Sequence, residues 1–195
     1  MALKDLLWAC PLCARLSGIR RSGKHEECAQ CGTTFRRGSG ASIIALAPGR
    51  EPIAASVPDW LAMLPPFPEL PEDPAAEGVI IRRVRQTMRV LRGGALLGWA
   101  ERFGKRVKGT LALNANEIRM TAEDGTAETW ALEHLVAIQP SSTSLQLRAR
   151  GGAPISVSFL DASVLLWERW LQDAVQRRWR DLGRGEVHEF QPRIE

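Results

Sequence analysis

The sequence predicts two units in tandem. A small cysteine-bearing ribbon comes first. A mainly β (α+β) domain follows, an antiparallel barrel or sandwich closed by a C-terminal amphipathic helix. Three observations lead there. All four cysteines precede residue 32. Between residues 110 and 159, short stretches of alternating apolar and polar residues are separated by turn residues. After Asp161 the apolar residues recur at near-helical spacing as far as Leu182.

The chain has 195 residues, of which 45% are apolar and 25% charged, the proportions of an ordinary globular protein. This argues against a wholly disordered, collagen-like or disulfide-dense chain. No run approaches the roughly 18 apolar residues of a membrane span. Met1 to Ala9 is too short for a secretory signal, so the expected location is the cytoplasm. The net charge of +4 conceals strong segregation: +5 over residues 1–50, −6 over 51–78, +8 over 79–120 and −3 over 121–195. Two basic blocks of this kind suit an anionic partner, a membrane surface or a nucleic acid; either is equally a solvated face.

In the first unit, residues 1–37, Cys10-Pro11-Leu12-Cys13 and Cys28-Ala29-Gln30-Cys31 form a Cys-x2-Cys pair separated by 14 residues from a second such pair. Two intervening residues let a tight turn aim both sulfurs inward while backbone amides point at them. Gly32 stands where that turn calls for a positive φ. The separation suits a short two-stranded ribbon. A cytoplasmic protein does not normally hold such cysteines as disulfides. Four thiolates complete a tetrahedral shell, so the expected role of Cys10, Cys13, Cys28 and Cys31 is to hold structural Zn2+, with iron an open alternative. Four protein ligands leave no position for a substrate, which argues against a catalytic metal. His25 is a spare ligand or, more simply, a surface histidine. The pattern is similar to zinc ribbons of the rubredoxin-like type over roughly residues 8–37. Arg15, Arg20, Arg21, Lys24, Arg36 and Arg37 decorate the ribbon and suit phosphate contact. Trp8 and Phe35 are its few aromatics, which is sparse for a single-strand binder.

Residues 38–78 hold eight of the twelve prolines. Proline lacks an amide donor and fixes φ, so the segment reads as a partly extended linker. Asp59 to Leu64 is a candidate turn of helix that staples onto the chain's own core.

The second unit, residues 79–183, opens with Ile80 to Arg92, whose pattern fits a strand and nearly as well a helix. Strands are then expected at 110–113, 117–121, 128–132, 134–138, 144–149 and 155–159, with turns at Asn114-Ala115-Asn116 and Glu123-Asp124-Gly125. Asp161 or Ser163 caps the closing helix. Val164, Trp167, Leu171, Ala174, Val175 and Leu182 lie mostly on one face, flanked by Trp170, and Gly183 is the natural stop. Residues 184–195 are a patternless tail.

The stretch from Gly109 to Arg180 resembles the pleckstrin-homology and GRAM families. The matching pieces are Gly109 to Asn114, Ile118 to Met120, Leu132 to Ile138, Leu145 to Arg148 and Ser156 to Phe159. Trp167 or Trp170 stands for the helix tryptophan that plugs one end of the barrel. The resemblance implies a non-enzymatic scaffold that docks to membranes or proteins. The Lys/Arg motif of its phosphoinositide-selective members is not evident here. A candidate docking segment interleaves Leu96, Leu97, Trp99, Phe103 and Val107 with Arg102, Lys105, Arg106 and Lys108. On a helix, Leu96, Trp99, Phe103 and Val107 would share a face, the composition of an interfacial anchor. Gly98 and Gly104 weaken that helix and favour a loop or strand pair.

No Ser/His/acid set and no phosphate-cradling glycine loop is evident, and His25, His134 and His188 are scattered. The expectation is therefore an adaptor, not an enzyme. It would dock to an anionic membrane as a peripheral protein, or to a protein partner such as a lipid-handling enzyme. The alternative is a regulatory zinc-ribbon protein that binds nucleic acid.

Overall fold

A computed structural model describes residues 3–23, 25–40, 42–90, 96–141 and 143–185, with the backbone alone for 82–90 and 96–103. Its strands form two antiparallel sheets, of five and seven strands. After a single helical turn, α1 (Leu3–Leu6), the smaller sheet runs β1 (Ile19–Ser22), β2 (His25–Cys28), β3 (Thr34–Arg37), β4 (Ser42–Leu46) and β5 (Ile53–Ser56) in meander order. β1 and β2 form the short ribbon expected between the cysteine pairs.

The linker reading of residues 38–78 is corrected by β4, β5 and α2 (Val57–Ala62). The prolines fall between these elements. Pro48 and Pro52 lie in the β4–β5 connection, and Pro58 sits in the first turn of α2, where its missing amide costs nothing. Ser56 and Asp59 close a capping box on α2: Ser56 N–H donates to Asp59 Oδ2 at 3.1 Å, and Asp59 N–H to Ser56 Oγ at 3.3 Å. This cap aims Trp60 inward. Trp60 is fully buried, its indole N–H donates to Ile43 O at 3.2 Å, and it meets Phe35 edge to face.

The larger sheet comprises β6 (Ala75–Val90), β7 (Leu96–Leu113), β8 (Glu117–Ala122), β9 (Ala127–Ala131), β10 (Leu135–Pro140), β11 (Leu145–Ala149) and β12 (Ile155–Phe159). A four-strand meander is followed by a three-strand one, and β12 returns to pair with β6, giving a half-barrel of order β9-β8-β7-β6-β12-β11-β10. The period-2 pattern is carried by Ile118 and Met120 on β8 and by Ile155, Val157 and Phe159 on β12, all buried. The turns use the expected chemistry. Asn114 Oδ1 accepts from Asn116 and Glu117 N–H, and Gly125 takes φ +83°.

Helix α3 (Val164–Asp181) closes the half-barrel. Val164, Trp167, Leu171, Ala174 and Val175 are buried as expected, joined by Leu166 and Trp170. Leu182 instead forms the exposed C-cap, because the helix ends one residue before it and Gly183 turns the chain at φ +67°. Trp167 stacks on Phe159 at 5.0 Å between centroids.

Residues 80–90 are strand rather than helix, and so is the candidate anchor. Residues 96–108 belong to β7, so no helical face gathers Leu96, Trp99, Phe103 and Val107. Ladder pairing with β6 takes up the backbone groups that a helix with Gly98 and Gly104 would satisfy less well. The β6–β7 hairpin outruns its neighbours. β12 pairs with β6 only as far as Arg82, and β8 pairs with β7 only from Gly109. Beyond those points the two strands pair only with each other among the described residues, with Arg85 opposite Arg102 and Met88 opposite Trp99.

The two sheets have separate cores that meet. Trp8 and Ala9 belong to the larger core, whereas Cys10, Phe35 and Trp60 belong to the smaller. Leu61 and Leu64 pack against both, and Phe67 stacks on Trp8 with centroids 3.8 Å apart. Lys4 Nζ donates to Phe159 O at 2.8 Å, and Ser163 Oγ to Asp5 O at 3.1 Å.

Candidate metal centre

The centre is made by two turns of the same design. In the first, Ala14 N–H donates to Cys10 O at 2.8 Å and Cys10 N–H to Arg15 O at 2.9 Å. In the second, Gly32 N–H donates to Cys28 O at 2.9 Å and Cys28 N–H to Thr33 O at 2.8 Å. Each turn ends in a left-handed residue, Ala14 at φ +58° and Gly32 at φ +69°. The glycine is there for the reason the spacing suggested. The first turn has no glycine, and Ala14 carries the strain.

These turns bring all four sulfurs within 4.8 Å of one another, with Cys10 and Cys28 buried and Cys13 and Cys31 nearer the surface. Cys10 Sγ lies 3.8 Å from Cys31 Sγ, and Cys13 Sγ lies 3.7 Å from Cys28 Sγ. A disulfide needs about 2.05 Å. A tetrahedron of metal–sulfur bonds of about 2.3 Å has edges of about 3.8 Å. The thiols are free, and their spacing is that of four ligands around one ion. The donor set fits the metal that the sequence implied.

The thiols respond to their surroundings in different directions. Burial pushes Cys10 and Cys13 up, against amide hydrogen bonds that favour the thiolate. Burial also opposes ionisation of Cys31, but the Thr33 hydroxyl and amide, with hydrogen bonds from Cys28 and Cys13, together outweigh it and bring Cys31 down to about 7. Thr33 Oγ1 is 3.1 Å from Cys31 Sγ and the residue is buried. Sequence reading missed Thr33; its signal is a hydroxyl two residues after the last cysteine. His25 stays outside the cluster, its Nε2 4.0 Å from Glu27 Oε2.

The basic decoration of the ribbon is partly countered. Arg20 lies opposite Glu27 and Arg21 opposite Glu26 across β1 and β2. Glu26 also accepts from Leu3 and Lys4 N–H at 2.7 and 3.0 Å, tying α1 to the ribbon.

Of the candidate docking residues, Lys105, Arg106 and Lys108 are exposed, and Lys108 pairs with Glu123 at 2.8 Å. The side chains of Leu96, Leu97, Trp99, Arg102 and Phe103 lie outside the described residues. Among the described residues no helix is long and apolar enough to cross a membrane.

The chain thus joins a four-cysteine cluster within metal-binding distance to a mainly β domain closed by a C-terminal helix. Comparison with known proteins found no matching family model and no matching curated protein.

Proposed function

We propose that the protein is a zinc-stabilised, non-enzymatic docking module that attaches peripherally to an anionic membrane surface through the β6–β7 hairpin. One observation carries this reading: the hairpin continues past both neighbouring strands as a two-stranded ribbon. Between Arg82 and Lys108 it carries nine Lys/Arg and one acidic residue, Glu101. Val90, Leu91, Leu96, Leu97 and Trp99 cluster in sequence around the chain reversal, with Arg83, Arg85, Arg102, Lys105 and Arg106 behind them. Apolar residues leading and cations following is the composition that enters a headgroup region. Each cation near an anionic leaflet contributes about 1 kcal/mol, so engagement of half of them suffices for reversible attachment.

The pleckstrin-homology and GRAM resemblance agrees with this reading. Antiparallel strands followed by a closing helix with buried Trp167 support it. Zinc suits four thiolates with no open position, and its role is to hold the small sheet together. Metal analysis of the purified chain tests the ion: one zinc per chain and no visible colour is expected, whereas a coloured protein means iron.

A basic two-stranded ribbon also fits the major groove of duplex DNA. The apolar residues close in sequence to the reversal favour lipid. Flotation with phosphatidylserine-containing and pure phosphatidylcholine vesicles at two salt concentrations decides. Binding to the anionic vesicles alone, weaker in high salt, is expected. Absence of flotation, together with salt-dependent capture on duplex oligonucleotides, would replace membrane docking by nucleic-acid binding.

A further inference from the structure

Between the two sheets lies a cleft of about 390 Å³, within the size range of small-molecule sites. One wall is the chain leaving the first cysteine turn, with Arg15 and Leu16, together with Arg20 of β1. The other is apolar: Pro71 and the edge of Trp170, with the fully buried Trp167 behind them. Three features make it more than a seam between modules.

The first is charge. Arg15 and Arg20 are exposed; Arg15 makes no ion pair among the described residues, and Arg20 faces Glu27 across the β1–β2 ladder without closing to ion-pair distance. The single carboxylate in the lining, Asp161, already accepts from Glu77 N–H through Oδ1 at 2.9 Å. The second is rigidity. Arg15 O accepts from Cys10 N–H at 2.9 Å and from Gly18 N–H at 3.3 Å, and Ser17 N–H donates to Trp8 O at 2.9 Å. The third is strain. Two non-glycine residues with positive φ, Ala14 and Ser17, flank Arg15-Leu16. The metal turn accounts for Ala14. Ser17 at φ +47° lies outside that turn, where L residues are unfavourable, and the distortion presents Arg15 and Leu16 together at the cleft.

We infer that this cleft binds a small anion attached to an aromatic or other compact apolar group. The two guanidinium groups would take the anion, as planar forks match phosphate and carboxylate oxygens. Leu16 and Pro71, with the edge of Trp170 that reaches the cleft, would take the apolar part. This site is independent of the hairpin and of any membrane attachment.

The test is titration of the zinc-loaded full chain with phenyl phosphate, followed by tryptophan fluorescence and calorimetry. Benzoate and inorganic phosphate serve as parallel probes. Saturable binding of phenyl phosphate is expected, with inorganic phosphate weaker by about tenfold or more because it forgoes the apolar contacts. R15A/R20A is expected to lose about tenfold or more in affinity. Zinc content and thermal unfolding are read on the same sample. Should the double variant lose zinc, R20A alone, on β1 and clear of the cysteine turn, replaces it. Benzoate binding better than phenyl phosphate would assign the anion as a carboxylate and support the site. No saturable binding of either aryl anion, or arginine variants that bind like the parent, would overturn it.

Discussion

Ala14 occupies, in the first cysteine turn, the place that Gly32 occupies in the second, and both are left-handed. An L residue in that conformation costs about 1–2 kcal/mol, part of which glycine returns through its freer unfolded chain. Ala14→Gly is therefore expected to stabilise the zinc-loaded protein by about 0.5–1 kcal/mol, read as a raised melting temperature at fixed zinc; a lower one would contradict the strain at this turn. Gly109 makes the opposite case. It faces Gly78 on one side and Ala122 on the other, and a methyl group there would meet the Thr121 carbonyl and the Ala122 Cα. Gly109→Ala is expected to cost about 1–3 kcal/mol, since backbone must move to admit it. Gly78→Ala, whose nearest neighbours stand at 3.4 and 3.5 Å, is the near-neutral control, and chemical denaturation of the pair checks both. Equal costs would mean that the β7–β8 approach is looser than described.

At the scale of elements, the β6–β7 hairpin is expected to be separable from the fold. Among the described residues its outer part has no third strand beside it. Replacing residues 86–101 by Asn-Gly should leave the melting temperature within a few degrees of the parent, because the strand pairings of β12 with β6 and of β8 with β7 lie outside the segment removed. The same change should abolish vesicle flotation while leaving phenyl phosphate binding intact. Loss of folding would show that the hairpin belongs to the core. The prolines of residues 38–78 illustrate how an element hides. Proline density over the whole segment suggests open chain, yet windows 42–46 and 53–56 contain none. Four or five residues suffice for a strand when a partner edge, here β3, is already in place.

At the scale of the molecule, the metal centre and the large sheet are coupled through the N-terminal segment. Trp8 and Ala9 lie in the larger core, and the next residue is a metal ligand. Chelation of the metal is accordingly expected to lower the melting temperature seen by both far-ultraviolet circular dichroism and tryptophan fluorescence, in coincident transitions. A large-sheet transition indifferent to chelator would show two independent domains. Trp8→Ala removes the stack on Phe67 and is expected to cost about 3–5 kcal/mol. Trp8→Phe should cost much less, since it keeps a ring there and removes a buried indole N–H that has no hydrogen-bond partner among the described residues. Comparable losses for the two variants would assign the cost to the indole rather than to the stack.

The features legible in the sequence are those written over short distances. The two Cys-x2-Cys turns with Gly32, the alternation of β8 and β12, the Asn114 and Gly125 turns and the buried face of α3 each follow from neighbours within one or two turns of chain. Local sterics and side-chain period act at that range, so no partner is needed to read them. What remained for the tertiary structure depends on pairing between distant residues. The addition of β4 and β5 to the ribbon, the opposition of Arg20 and Arg21 to acidic partners, and the pairing of residues 96–108 with β6 are decided by which edge a strand finds. The entry of Trp8 into the larger core is decided by which surfaces meet. A strand's hydrogen bonds and a core's contacts are made with residues far along the chain, and the local pattern carries no record of them.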